Sequence, residues 1–420
     1  MNILVVGGGG REHALVWKIS KSPKVSKIYC APGNGGISDL AECIDIKATD
    51  INGIVDFAEE KEIDLVVVAP DDPLAMGMVD ELTKRGIRAF GPNKRAAIIE
   101  GSKVFSKNFM KKYNIPTADF QVFDNREDAI YFLKHCNYPV VIKADGLALG
   151  KGVIIANDLT EAKKAVDDCM INKTFGKSGE RIVIEEFLEG PEVSILCFTD
   201  GTTIVPMPSA QDHKRVYDGD RGPNTGGMGA FSPSIYYTEE IEKFCIKNIF
   251  IPTIEAMKKE DRLFKGVLYF GLMLTDNGPK VLEYNARFGD PETQALLPLL
   301  ETDIVEIFEA IIDERLHEID VVWQDKSALC VILASGGYPK KYEKGYEIKG
   351  IEDILKHENI FIFHSGTKKK NGKYYTAGGR VLGITAVGDN LESVYKTVYS
   401  HIEKIKFKDM HYRKDIGKKV

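Results

Sequence analysis

The first nineteen residues do most to restrict the fold. Ile3-Leu4-Val5-Val6 is a short apolar strand that runs into four glycines, Gly7–Gly10. Arg11-Glu12-His13 then opens a helical pattern carrying Ala14, Leu15, Trp17 and Ile19. A buried strand turning through glycines into a helix is the start of a doubly wound α/β domain. The turn leaves the free N–H groups of a helix N-terminus facing outward, where an anion is held. It is not a dinucleotide fingerprint, because the third glycine of G-x-G-x-x-G would fall at Glu12 or His13. The next strand, Lys27–Cys30, ends in Ala31-Pro32-Gly33 with no acid for a ribose hydroxyl. A dehydrogenase is therefore disfavoured and a smaller phosphate ester fits better. A third strand, Asp64–Ala69, ends in Pro70-Asp71-Asp72-Pro73 at the carboxyl edge, where such sheets bind ligands. Asp71 suits sugar hydroxyls, and equally a helix N-cap. Arg88–Pro92 closes this unit near residue 100.

A chain of 420 residues exceeds one core and predicts two to four domains. With 56 basic and 62 acidic side chains the net charge is −6, which offers no surface for nucleic acid or membrane. Any anionic ligand must be held by local basic groups. Seven scattered cysteines without a C-x-x-C pair, and no leader or long apolar run, predict a reducing, cytoplasmic setting. A monomer, or at most a weak dimer, is expected.

The second unit begins with Ser102 as a cap and a basic helix to Tyr113. Further on, Tyr138–Ile155 reads as two strands flanking a loop with Gly146, Gly150, Lys151 and Gly152, a hairpin flap suited to phosphates. The spacing rules out a Walker A loop. Lys143 sits inside an apolar strand, where a bound anion is a reasonable partner. Arg181–Glu192 reads as a strand running into a polar bend, followed by a second strand, Val193–Phe198, with Glu185, Glu186, Phe187 and Leu188 placed to meet a base edge and a carboxylate following for ribose hydroxyls. Ser209–Pro233 lacks apolar periodicity, is rich in glycine and mixes charge signs, the pattern of a long functional loop. His213 within it suits a structural hydrogen bond better than a catalytic role. From about Asp325 a small α+β module follows, in which Arg380 is a candidate to reach the substrate. Arg413–Lys419 reads as a solvated basic tail.

The densest chemistry lies at Val281–Gln294. An apolar hairpin (Val267–Leu274, a turn at Asp276–Gly278, then Lys280–Leu282) ends in charged groups. Period-2 alternation puts Glu283, Asn285 and Arg287 on one face. Two oxygen donors at this spacing suit Mg²⁺, which takes one or two carboxylates plus substrate phosphates. Arg287 has the planar fork that clamps a phosphoryl or carboxylate group. Pro291 and the residues after it predict a helix whose N-terminus lies at the site. A solvated hairpin rim would carry the same charges.

Arg287-Phe-Gly-Asp-Pro-Glu-Thr-Gln294 resembles the signature of the phosphoribosylamine–glycine ligase (glycinamide ribonucleotide synthetase) family of ATP-grasp enzymes. Gly7–Leu15, Ala31–Gly36, Gly101–Lys103, Ile142–Val153, Ile184–Leu188, Gln211–Val216, Gly222–Ala230 and Arg413–Gly417 resemble that family in order, across the whole chain. One departure is Ala69-Pro70-Asp71, where the family usually carries glutamate. Another is Gly271, where many ATP-grasp relatives place a carboxylate ligand.

The resemblance implies an α/β and α+β multidomain architecture. A doubly wound pre-ATP-grasp domain would span residues 1–100 and an ATP-grasp domain 101–324, with a mobile lid over about 120–188. A C-terminal α+β domain would take 325–420. It further implies that ATP, glycine and 5-phosphoribosylamine give ADP, phosphate and glycinamide ribonucleotide through a glycyl phosphate, in purine biosynthesis. On this pattern Lys103, Lys143, Gly146, Gly150, Lys151 and Gly152 hold ATP phosphates. Glu185, Glu186, Phe187 and Leu188 line adenine, and Glu192 takes the ribose. Glu283 and Asn285 ligate Mg²⁺ or Mn²⁺; Arg287, Asp290 and Lys143 carry the catalysis. Gly9, Gly10, Arg11, Glu12, Asp71, Asp212, His213, Lys214 and Asn224 bind substrate. The rivals are a formate-using or carboxylating ATP-grasp ligase, and a nucleotide-binding regulator without turnover.

Overall fold

The computed structural model describes residues 1–147 and 152–418. Its N-terminal unit is a five-stranded, all-parallel sheet ordered Glu42–Cys43, Lys27–Pro32, Asn2–Gly7, Leu65–Val68, Ala89–Phe90. Along the central strand Leu4 and Val6 enter one core while Ile3 and Val5 enter another, so the sheet is covered on both faces. This is the doubly wound arrangement the opening residues predict. The edge strand Glu42–Cys43 went unread, because two residues carry no periodic signal.

Two antiparallel sheets follow. The central one is ordered Ile204–Pro206, Glu192–Thr199, Gly266–Thr275, Gly278–Asn285. The other is ordered Phe120–Phe123, Ile182–Glu186, Val140–Ala144, Val153–Ala156. It has its own core, into which Leu133 of the Arg126–Leu133 helix and Val166 of the Leu159–Met170 helix pack. The strands Ile182–Glu186 and Glu192–Thr199, which read in sequence as one strand–turn–strand, thus belong to different sheets. Residues 187–191 cross from one to the other. A single long helical segment follows: Glu239–Cys245 and Ile251–Lys259 join through a π turn at Ile246–Phe250.

The C-terminal sheet is ordered Gln211–Asp212, Gly229–Ser232, Ser327–Ala334, Arg380–Gly388, Ile360–His364. Its first two strands come from the segment read as an irregular loop. That reading is corrected: residues 209–233 contain four short strands, and a bridge from Ser194 to Ala210 ties them to the central sheet. The sequence carries little sign of them, because strands of two to four residues, most of them polar or glycine, show no apolar period. The basic tail is corrected too. Arg413 is 1% exposed, paired with Asp220 and Asp415 at 2.7 Å each, and donates to the Arg215 carbonyl.

Candidate active site

Alternation along Gly278–Asn285 and its continuation buries Tyr284, Ala286 and Phe288 and leaves Glu283, Asn285 and Arg287 together on the half-exposed face. A bulge interrupts the ladder, since Gly271 pairs with Glu283 and Leu272 with Val281, which makes Leu282 the extra residue. Its carbonyl receives the Lys143 ammonium at 3.0 Å. Gly271 lies directly across from Glu283, where a Cβ would stand 3.4 Å from Glu283 Cγ. At this position the neighbouring strand therefore presents no second carboxylate to Glu283.

Lysines converge on that carboxylate. Lys103 Nζ is 3.2 Å from Glu283 Oε2, and Lys214 Nζ is 3.9 Å from Oε1 while also paired with Glu192. Burial opposes ionisation of Glu283, yet Lys103, Lys214 and Lys143 hold its carboxyl well below the usual range. Burial likewise opposes the Lys214 charge, and Glu192 and Glu283 outweigh it, raising the ammonium well above its ordinary value. Lys103 heads the helix Lys103–Lys112, whose Ser102 cap accepts from Phe105 N–H and donates to Asp145 at 2.8 Å.

The partner expected for Lys143 was a bound anion. Its partner is instead Glu185, whose Oε2 lies 3.0 Å from Lys143 Nζ and 2.8 Å from Lys107 Nζ. Glu185 Oε1 is buried and has no hydrogen-bond partner. Lys107 went unread as a site residue; its only sequence signal is membership of a basic helix. Glu186 points to the opposite, exposed face and pairs with Lys280 at 2.9 Å, so its side chain is removed from the group expected to line adenine. Phe187 is half-buried and Leu188 buried at the crossing between sheets. Gly146 has a left-handed φ of +124° and packs on Ser178, while Gly152 accepts from Ala144 N–H. Gly150 and Lys151 lie outside the described residues.

The loop after the hairpin is fixed by residues far away in sequence. Arg287 pairs with buried Glu100 at 2.9 Å, and its Nε is buried without a partner. Asp290 was expected to act in catalysis. Its Oδ2 is 3.1 Å from Arg380 and its Oδ1 accepts from Gln294 at 2.7 Å, so both oxygens are engaged by the protein. Arg380 is correspondingly a clamp on this loop, also donating to the Asp290 carbonyl, and not a free arm toward substrate. The predicted helix is only Glu292–Leu296. Glu292 is 3% exposed and accepts from Ser194 Oγ, which in turn meets the Tyr269 hydroxyl at 2.7 Å. Asp212 lies close by; burial, and then the Glu292 carboxylate, push the pKa of its carboxyl well above the usual range.

The N-terminal residues split into two groups. A Cβ on Gly9 would stand 3.5 Å from Asp290 Oδ2, and one on Gly10 would meet Gln294 and Ser365, so the glycine turn abuts the loop that follows the Glu283 strand. Arg11 and Glu12, expected to bind substrate, are engaged with the protein itself. Glu12 Oε2 accepts from Gly9 N–H at 2.6 Å, its Oε1 accepts from Arg11 at 2.7 Å, and Arg11 also donates to the Phe288 carbonyl. Asp71 is in the first turn of the Asp71–Met76 helix, near enough to Glu100 for its charge to add to the burial that pushes the Glu100 carboxyl above its ordinary pKa. His213 turns away from the Asp212 and Lys214 side: its ring packs on Phe231, and Arg413 with Asp220 and Asp415 shape its charge. Asn224 sits opposite Arg215 in a two-stranded ribbon. The structure does not bring either into the Glu283 cluster.

The donor set fits a divalent cation. Glu283 is ionised, Asn285 offers an amide oxygen on the same face, and among the described residues that amide makes no hydrogen bond to the protein. A hard ion that retains waters and substrate phosphates needs no more.

Two antiparallel sheets meeting at a lysine-ringed carboxylate define an ATP-grasp fold with the acid and basic groups of a ligase. Models of the phosphoribosylglycinamide synthetase N domain, ATP-grasp (A) domain and C domain match residues 1–100, 101–293 and 328–419. The chain is 52% identical over 417 residues to phosphoribosylamine–glycine ligase of Caldanaerobacter subterraneus, covering 99% of each. It is 49% identical to a bifunctional purine biosynthetic protein of Pichia angusta, matching 99% of this chain and 53% of that protein. The crystal structure of phosphoribosylamine–glycine ligase from Thermotoga maritima superposes with a TM-score of 0.86 at 34% identity, covering 99% of this chain and 100% of that one. Biotin carboxylase from Campylobacter jejuni shares the fold at a TM-score of 0.76 and 14% identity, over 99% and 94% of the two chains. The chain belongs to the phosphoribosylglycinamide synthetase family.

Proposed function

We propose that the protein joins glycine to 5-phosphoribosylamine at the expense of ATP, forming glycinamide ribonucleotide in purine biosynthesis. A glycine carboxylate oxygen attacks the γ-phosphorus and ADP leaves. The amine nitrogen of phosphoribosylamine then attacks the carbonyl carbon of the glycyl phosphate, and phosphate departs as the amine loses a proton. Phosphoryl transfer needs placement and charge neutralisation more than covalent help. Lys103, Lys143 and Lys214 supply positive charge around Glu283. The buried, unpartnered Glu185 Oε1 is an acceptor suited to the exocyclic amine of adenine. Glu283 and Asn285 hold Mg²⁺ or Mn²⁺, which when bound neutralises charge on the triphosphate. Arg287, with one buried N–H unassigned, is the donor for the acyl phosphate. Asp212, its proton affinity raised, is matched to accept the amine proton.

The observation that carries this reading is the Glu283 carboxylate, kept ionised among lysines at the end of a buried strand. The test is ADP release measured with ATP, glycine and freshly prepared phosphoribosylamine. Release that requires both co-substrates is expected. Turnover with formate or bicarbonate in place of glycine points to the other ligases, and nucleotide binding without turnover to a regulator; either result overturns the proposal.

A further inference from the structure

One carboxylate oxygen, Glu185 Oε2, carries two ammonium groups: Lys143 at 3.0 Å and Lys107 at 2.8 Å. All three side chains are buried, with Lys107 2% and Glu185 3% exposed. A buried carboxylate needs one counter-charge, and a second buried lysine is costly unless it has a task. The two lysines differ in what anchors them. Lys143 rides on the Val140–Ala144 strand of the outer sheet. Lys107 belongs to the Lys103–Lys112 helix and also donates to Thr117 Oγ1 at 2.7 Å, which donates to the Val281 carbonyl of the central sheet at 2.6 Å.

We infer that Lys107 is a positioning residue that keeps Glu185 paired and aimed when Lys143 turns from it to the nucleotide phosphates. This rests on the nucleotide-binding reading above and adds a handover to it. Before nucleotide binds, Lys143 is shared between Glu185 and the Leu282 carbonyl. A lysine that leaves its only carboxylate for a phosphate strands a buried anion and weakens binding by that cost. With Lys107 in place Glu185 stays compensated, its Oε1 stays available to the base, and Lys143 is free to move. The charged groups facing Lys107 are Glu185, Lys143, Lys103 and Glu186, with the Phe120 ring 5.8 Å from its ammonium. Burial, with Lys143 and Lys103 adding to it, brings Lys107 down to about 8, within reach of assay pH.

The experiment compares wild type, Lys107→Met and Lys107→Arg in steady-state ADP release, with thermal melting as the folding control. In Lys107→Met the KM for ATP rises about ten- to a hundredfold, the scale of a lost charge-assisted partner, while the KM for glycine and the kcat change little. Lys107→Arg restores most of the affinity. Wild-type KM for ATP also climbs above about pH 8, and that limb is absent in Lys107→Arg, whose guanidinium stays charged. An unchanged KM for ATP in a folded Lys107→Met overturns the inference while wild-type turnover leaves the function intact. Should Lys107→Met not fold, a high-pH limb that persists in Lys107→Arg overturns it equally. Failure of wild type to bind ATP would instead remove the reading on which it stands.

Discussion

Arg380 and Asp290, 90 residues apart in the chain, form an ion pair with Nη2 and Oδ2 3.1 Å apart. Asp290 belongs to the loop that follows the Glu283 strand, and Arg380 begins a strand of the C-terminal sheet. Burial opposes ionisation of Asp290, and Arg380 and Arg11 overcome it, lowering its carboxyl below the ordinary range. Arg380 thus ties the C-terminal unit to the loop that follows the Glu283 strand.

Replacing Arg380 by Met leaves the Asp290 charge partly buried and unpaired. Stability drops by about 3 kcal/mol, the low end for breaking a buried pair, since Asp290 and Arg380 retain 13% and 20% side-chain exposure. Urea unfolding measures this. In Arg380→Met/Asp290→Asn together, less is lost than the sum of the single changes. Turnover falls further than ATP affinity, because the loop and not the nucleotide pocket is disturbed.

Acid sensitivity is built into the contact between the N- and C-terminal units. His13 Nδ1 accepts from the His364 backbone N–H at 2.7 Å, and the His364 ring meets Thr367. Burial, followed by mutual repulsion, holds His13 at about 3; burial and Lys369 hold His364 at about 3. Both are neutral in the folded chain between there and pH 6.5, while the unfolded chain takes up protons. Stability thus falls on acidification below about pH 6.5, by up to about 1.4 kcal/mol per pH unit for each histidine. His364→Asn makes the slope of the urea midpoint between about pH 6 and pH 4 shallower. An unaltered slope rejects the assignment.

Arg413 offers a sharp contrast between sequence and structure. A solvated basic tail would tolerate Arg413→Ala with a change within about 0.5 kcal/mol. The buried guanidinium bridging Asp220 and Asp415 predicts a loss of about 3 kcal/mol or more, read by urea unfolding.

What was legible followed from periodicity. The hairpin Gly266–Asn285 and the shared face of Glu283, Asn285 and Arg287 are visible because a buried strand must alternate. Partners were not legible, because nothing local in the sequence points from Lys143 to Glu185, from Arg287 to Glu100 or from Asp290 to Arg380. Those pairings are set by which sheets meet, and the polar two-residue strand Gln211–Asp212 that helps join them has no pattern to read. The same limit explains Lys107, which differs from its neighbours on a basic helix only in facing Glu185.

The central claim is that the ionised Glu283 organises triphosphate and metal at the strand end. Glu283→Ala, purified and shown by circular dichroism and melting to be folded, is assayed for ADP release with ATP, Mg²⁺, glycine and phosphoribosylamine. Turnover is expected to drop about a hundred- to a thousandfold, the scale of losing a principal transition-state electrostatic group. A folded Glu283→Ala that turns over at the wild-type rate contradicts the account.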